Sequence, residues 1–276
     1  MDETRFQIYK TSGFVASFVL IYAVQTLWPY ARGKVLLRRN WGQNLPLAAV
    51  NTLILTSACG ACLCSAANLT ESRGWGLFRI GRAPSWLAIP GTVLALDFVL
   101  WAWHLANHRW RWLWRFHQVH HSDDEFDVTT SLRFHAGELL LSLPAKLATI
   151  FLLGAPILGI LFFELVFGLF NMFVHSNARL PEWIERRFSP LFVLPASHRL
   201  HHSIGLRDYN RNFGTILSLW DRWRGTWTEA RSSQKIQTGL PGGLPGPAPG
   251  FWRCLALPFR PLGSRARDTT RAGTSR

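Results

Sequence analysis

Five apolar runs dominate the chain: Phe14–Tyr30, Leu45–Ala67, Ser85–Trp103, Glu138–Leu153 and Ala155–Val174. A helix needs about 20 apolar residues to cross the hydrocarbon core of a bilayer. There the backbone must satisfy its own hydrogen bonds, which restricts spanning structures to helices and closed barrels. Runs of this length predict an all-α integral membrane bundle with four to five spanning or re-entrant segments. The fourth run is short and interrupted by Pro144 and Lys146, and the fifth is interrupted by Glu164.

Charge sets the expected orientation. The stretch ARGKVLLRRN after the first run holds four Lys/Arg, which favours the cytoplasmic side. Two further spans return the chain to that side at His104. The 138–174 region then goes in and comes back, so that both flanking polar blocks face the cytoplasm; Arg73, Arg79 and Arg82 weigh against this orientation. A net charge of +14 with only 17% charged residues fits basic segments on an anionic membrane face. It excludes a soluble nucleic-acid-binding domain, whose basic surface would not come with such long apolar runs. Cys59, Cys62 and Cys64 share one apolar run and Cys254 stands alone, a pattern of neither a disulfide framework nor a zinc site. The start, MDETRFQIYK, has no small-residue cleavage site and is not read as a cleaved signal peptide. The expected division is membrane helices and basic loops over 1–84, a histidine-rich domain over 85–228, and a disordered basic Pro/Gly-rich tail over 229–276. A multi-pass protein of the bacterial cytoplasmic membrane is favoured, or of the endoplasmic reticulum in a eukaryote.

All ten histidines lie between residues 104 and 202. His104 and His108 are i and i+4, one face of a helix. RFHQVHH holds His117, His120 and His121, and HRLHH holds His198, His201 and His202. Rings at i, i+3 and i+4 fall within roughly 100° of arc, so each box points three imidazoles one way. Eight such ligands exceed one tetrahedral zinc and suit two metal ions, with the two boxes facing one another across them. Imidazole binds Zn, Cu, Fe and Ni. Haem takes only one or two axial ligands. A transporter would place ionisable groups inside its spans, where Glu164 and Asp97 are the candidates. Trp110, Trp112, Trp114, Trp183, Trp220, Trp223 and Trp227 read as an interfacial belt, with cavity lining as the other reading.

The series H104LANH108, H117QVHH121 and H198RLHH202 resembles the histidine boxes of the fatty acid hydroxylase/sterol desaturase superfamily. Thr130, Arg133, His135 and Glu138 resemble its T-x-x-R-x-H-P-x-E element, H175SN its HSN, N212FG214 the sequel to its last box, and W220DRWRGTW227 a further motif. Ala136, Asp127 and Arg224 depart from the pattern without removing a histidine. The resemblance, over roughly 90–228, implies a membrane-bound non-haem di-iron oxygenase that hydroxylates or desaturates a lipid C–H bond. Two iron ions are implied, with zinc able to replace them in purified protein, and O2 as co-substrate. It implies that the eight box histidines are ligands, that His175 is a ninth, and that His135 is either a tenth or a residue that orients one. Metal-bound His usually donates its other N–H to a carboxylate or carbonyl, and Asp97, Glu138 and Asn212 are the candidate partners. Asp97 lies two turns before His104 on the same face; a helix-end charge in the membrane interface is its other reading. No haem or flavin module is recognisable, so a separate electron donor of the cytochrome b5, ferredoxin or flavoprotein type is expected. The competing class is a non-catalytic membrane metal-binding or scaffold protein, or a metal transporter, that retains the boxes.

Overall fold

A computed structural model describes residues 1–31, 34–59, 61–205, 207–231, 233–240 and 248–261. Among them the chain is helical, with isolated bridges and no strand. Its helices are α1 (Glu3–Leu27), α2 (Lys34–Cys59), α3 (Cys62–Arg73), α4 (Leu77–Ile80), α5 (Ser85–Arg109), α6 (Arg111–His121), α7 (Ala136–Leu153), α8 (Ile157–Val174), α9 (Glu182–Phe188), α10 (Pro195–His201), α11 (Leu219–Arg224) and α12 (Phe251–Ala256). Five stretches are long and apolar enough to cross a membrane: Glu3–Leu27, Asn40–Ile80, Ser85–Arg109, Ala136–Leu153 and Ile157–Val174.

Two of these differ from expectation. The first begins at Glu3, because Asp2 caps the helix by accepting from the Arg5 N–H at 2.8 Å. Polar Lys10 is tolerated inside it by an ion pair with Glu164. The Leu45–Ala67 run is divided between α2 and α3. The α3 helix is capped by Gly74 at φ 66°, a left-handed turn that suits glycine. Pro90 and Pro144 lie inside unbroken α5 and α7.

Packing orders the ends. Phe6 clusters with Cys64, Ala66, Ala67, Ile150, Ala155, Ile157 and Ile160. That joins the start of α1, α3, the end of α7 and the start of α8 at one end of the bundle. Gln25 near the end of α1 accepts from Val128 and Asn177 N–H groups at 3.0 Å, which places α1's other end beside the histidines. Helices α1, α5 and α8 therefore run toward the histidine end, and α7 runs away from it. The α7–α8 hairpin carries the chain from one histidine block to the other. Glu164 of α8 sits between Lys10 of α1 and Lys146 of α7, 3.1 Å from each Nζ. A Cβ at Gly13 would overlap the Leu165 Cδ2 methyl, which would have to turn aside.

Part of the expected tail is ordered. Residues 251–259 form α12 and a 3-10 turn, with Cys254 and Leu257 packed on Leu47 and Val119. The run FWRCLALPF offers an apolar face whose burial favours order there. Residues 241–247 and 262–276 of that expected tail lie outside the described residues, as does Arg32 of the basic stretch after α1.

Candidate metal centre

Nine imidazoles meet at the histidine end in two groups. His104, His108, His117, His121 and His201 form one; His120, His175, His198 and His202 form the other. Within each group the ring nitrogens lie within 4.8 Å of one another. The boxes do not each serve one side: both are shared. His117 and His121 join the first group while His120 joins the second; His198 and His202 join the second while His201 joins the first. Helix geometry explains the division, since i and i+4 differ by about 40° around the axis and i+3 and i+4 by about 100°.

The hydrogen bonds assign the tautomers. His104 Nδ1 lies 2.7 Å from the Phe213 carbonyl and His201 Nδ1 2.7 Å from the Arg211 carbonyl. His175 Nδ1 lies 2.6 Å from the Asn171 carbonyl and His120 Nδ1 3.3 Å from that of Arg133. A carbonyl only accepts, so each Nδ1 bears the hydrogen and each neutral Nε2 presents a lone pair. Yet His104 and His201 Nε2 are 3.0 Å apart, and so are His120 and His175 Nε2. Facing lone pairs at that distance repel unless a cation lies between them. Two imidazole nitrogens that each lie about 2.1 Å from a shared ion can be no more than about 4.2 Å apart, so a separation of 3.0 Å is compatible with a common ion. His108 and His202 have both ring nitrogens buried without a hydrogen-bond partner, a cost that coordination would remove. The donor set therefore fits two metal ions of the imidazole-binding kind.

The other candidates are placed as follows. Glu138 Oε1 accepts from His117 Nδ1 at 2.8 Å and from Asn107 Nδ2 at 3.0 Å. Asn212, at φ 56°, donates to the Ser197 and Thr228 carbonyls at 3.0 and 2.9 Å. It thereby pins the loop whose neighbouring carbonyls, Arg211 and Phe213, hold His201 and His104. Asp97 touches no histidine: it accepts from Trp220 Nε1 at 2.8 Å and the Leu217 N–H at 3.3 Å. Two helical turns separate it from His104 by about 10 Å of rise, beyond a carboxylate's reach. His135 stays outside both groups; its Nδ1 caps α7 through the Gly137 N–H, and its ring faces Phe116 and Phe259. Trp110, Trp112, Trp183 and Trp223 are exposed. Trp114 is buried, 5.2 Å from His108, with Tyr209 at 4.7 Å. Phe134 stacks on His120 at 4.2 Å, and Phe126 lies 5.0 Å from His202. These walls carry no spacing signal; backbone carbonyl anchors carry none either.

Burial, and then the neighbouring imidazoles, push His120, His121, His198 and His202 well below the usual histidine range. Burial lowers His175 and His201 to about 3. The metal-free fold is therefore fully stable above the unfolded-chain value of about 6.5 and loses stability as pH falls toward about 3. Asp127 and Glu185, raised by burial to about 6 and about 7, offset part of the loss, because they bind protons more readily when folded. An acid titration of helix content by circular dichroism should show this loss, with bound metal shifting it to lower pH. A titration with no loss of helix down to about pH 3 would contradict the neutral, buried cluster.

Membrane-length helices that gather nine imidazoles into two groups of metal-binding spacing define a membrane protein able to hold two metal ions. The chain belongs to the fatty acid hydroxylase family, whose model matches residues 89–226. It is 33% identical over 178 residues to an ornithine lipid hydroxylase of Rhizobium tropici, covering 63% of this chain and 51% of that protein. It is 31% identical over 150 residues to a cholesterol 25-hydroxylase of Rattus norvegicus, covering 53% and 49%. An alkylglycerol monooxygenase of Danio rerio is 28% identical over 159 residues, covering 56% and 32%. The chain thus spans about half or less of the length of these curated relatives. No solved structure matches it significantly.

Proposed function

We propose that the chain is a membrane-bound non-haem di-iron oxygenase that hydroxylates or desaturates an unactivated C–H bond of a lipid, using O2 and two electrons from a separate donor. The observation that carries this reading is the facing of Nε2 lone pairs across 3.0 Å in both histidine groups, inside the family-matched stretch. The relatives' names supply the substrate class: an ornithine lipid, cholesterol and an alkylglycerol are all lipids.

In this reading His104, His108, His117, His121 and His201 hold one ion, and His120, His175, His198 and His202 the other. His135 and Asp97 take no part in ligation. Iron, when bound, supplies the redox chemistry for reducing O2. The chain supplies everything else. Burial keeps His120, His121, His175, His198, His201 and His202 neutral, so their lone pairs are free to ligate. The Phe213, Arg211, Asn171 and Arg133 carbonyls and the Glu138 carboxylate fix the ring orientations. Phe126, Phe134, Phe213 and Trp114 keep water from the rings. The site at the ends of α5 and α8 admits a lipid chain from the bilayer, while the electron donor approaches from the cytoplasm. Residues 85–228 form the catalytic part.

Glu164 is already neutralised by Lys10 and Lys146, so it is not poised as a transported ion's carrier. Mass spectrometry of host-cell lipids tests the proposal. Expression should yield a lipid that has gained one oxygen, or lost two hydrogens, and the change should be absent in a His120→Ala/His201→Ala chain. Metal-loaded protein that leaves host lipids unaltered would favour a non-catalytic metal-binding role. Metal flux across vesicles would favour a transporter.

A further inference from the structure

We infer that the C-terminal segment 249–260 is a buttress of the four-histidine group, coupled to it through Arg133 as a positioning residue. The inference rests on the metal reading above, and it concerns a part of the chain outside the family-matched residues 89–226.

Arg133 is wholly buried. Its guanidinium has one anchor on α2, Asn44 Oδ1 at 2.9 Å from Nη1. It has two at the end of α6: the Val119 carbonyl at 3.1 Å from Nε, and Ser122 Oγ at 3.0 Å from Nη2. The C-terminal segment gives Nη2 two further acceptors, the Pro249 carbonyl at 2.8 Å and Cys254 Sγ at 3.2 Å, and the Asp123 carboxylate interacts with its charge. The backbone carbonyl of the same residue is the acceptor for His120 Nδ1. At 3.3 Å that is the longest of the four carbonyl anchors on the histidines, and so the one most dependent on outside support.

The segment also grips the outer face of the box helix. Gln118 Nε2 reaches the Leu257 carbonyl at 3.5 Å, and Arg115 Nη1 the Pro258 carbonyl at 2.9 Å. Cys254 and Leu257 pack with Val119 and Leu47. Helix α6 therefore has one face on the metal groups, through His117, His120 and His121, and the opposite face on the segment. Remove the segment, and Nη2 loses two of its three acceptors. A guanidinium cannot shed its charge, and a buried one with missing partners is strongly disfavoured. Arg133 must then shift toward water and draw its carbonyl away from His120. His120 belongs to the four-histidine group alone, so the loss of the Arg133 anchor falls on that group.

The test is a chain ended at Ala248, compared with the full chain in detergent. Circular dichroism reports folding, elemental analysis reports metal per chain, and the visible absorption of cobalt-loaded protein reports the geometry of the ligand set. The expected result is a folded protein whose metal content falls from about two ions to about one, with the cobalt spectrum of a single group remaining. A general loss of stability would instead release both ions together, and that result overturns the inference. So does a folded, shortened chain that keeps both ions and an unchanged spectrum. Should the shortened chain fail to fold, Cys254→Ala in the full chain decides. One ion should then reach a chelator about 10-fold faster or more while the other is unaffected, and unchanged release of both overturns the coupling. A full-length parent that binds no metal fails at an earlier point, the metal reading itself, and is recognised as such before any variant is compared.

Discussion

His120→Ala should remove about one metal ion per chain, whereas His201→Ala should leave both in place but more loosely held. The difference follows from how the boxes divide. Without His120 its group keeps three imidazoles, His175, His198 and His202. Without His201 the other group keeps His104, His108, His117 and His121, still a complete set of four. Loss of a group that merely orients a ligand costs about 10–100-fold in metal affinity, and loss of a ligand from the smaller group should exceed that. Elemental analysis of protein from iron-replete cells, before and after a chelator challenge, separates the outcomes. Full occupancy in the His120→Ala/His201→Ala double variant would sink the site assignment. Zinc in the parent would not, because imidazole accepts either ion.

The histidine boxes were legible because helical spacing alone brings i, i+3 and i+4 to one side. Which residues of the two boxes share a group was not, since spacing separates i+3 from i+4 within a box but the pairing of His117 and His121 with His201, and of His120 with His198 and His202, depends on how α6 and α10 cross. Glu138 could be picked out because Thr130, Arg133, His135 and Glu138 resemble an element of the family. Asp97 had an equally suitable spacing, yet its oxygens go to Trp220 and Leu217, a tertiary choice that periodicity does not encode. Four of the histidine anchors are backbone carbonyls, which every residue possesses and no motif marks. Trp114 looked like its neighbours Trp110 and Trp112 in sequence, but it alone of the three turns in against His108. The ordered stretch of tail at 249–260 was masked by the Pro/Gly-rich run before it. Its order comes from partners far away in the chain, Leu47, Arg133 and Val119.

Glu164→Gln should be among the most destabilising single changes in the bundle while leaving the metal groups intact. Glu164 holds Lys146 at 3.1 Å through one oxygen and Lys10 at 3.1 Å through the other. Through these two contacts it joins α1, α7 and α8. Removing one member of a buried ion pair costs about 3–5 kcal/mol, because the remaining charge lies unpaired in a low-dielectric setting. Lys10, with 39% of its side chain exposed, can turn toward the headgroups and relieve part of that cost. Lys146, with 19% exposed and lying near the Phe163 and Phe167 rings, cannot. The expected loss therefore sits at the lower end of the range and comes mainly from Lys146. Chemical unfolding in detergent, followed by circular dichroism, measures it. The combined Lys10→Met/Lys146→Met/Glu164→Leu chain should recover most of the stability, since a well-packed apolar replacement of a buried ionic cluster is often neutral or better. Equal stability of the parent and the Glu164→Gln chain would mean that the lysines do not depend on this carboxylate.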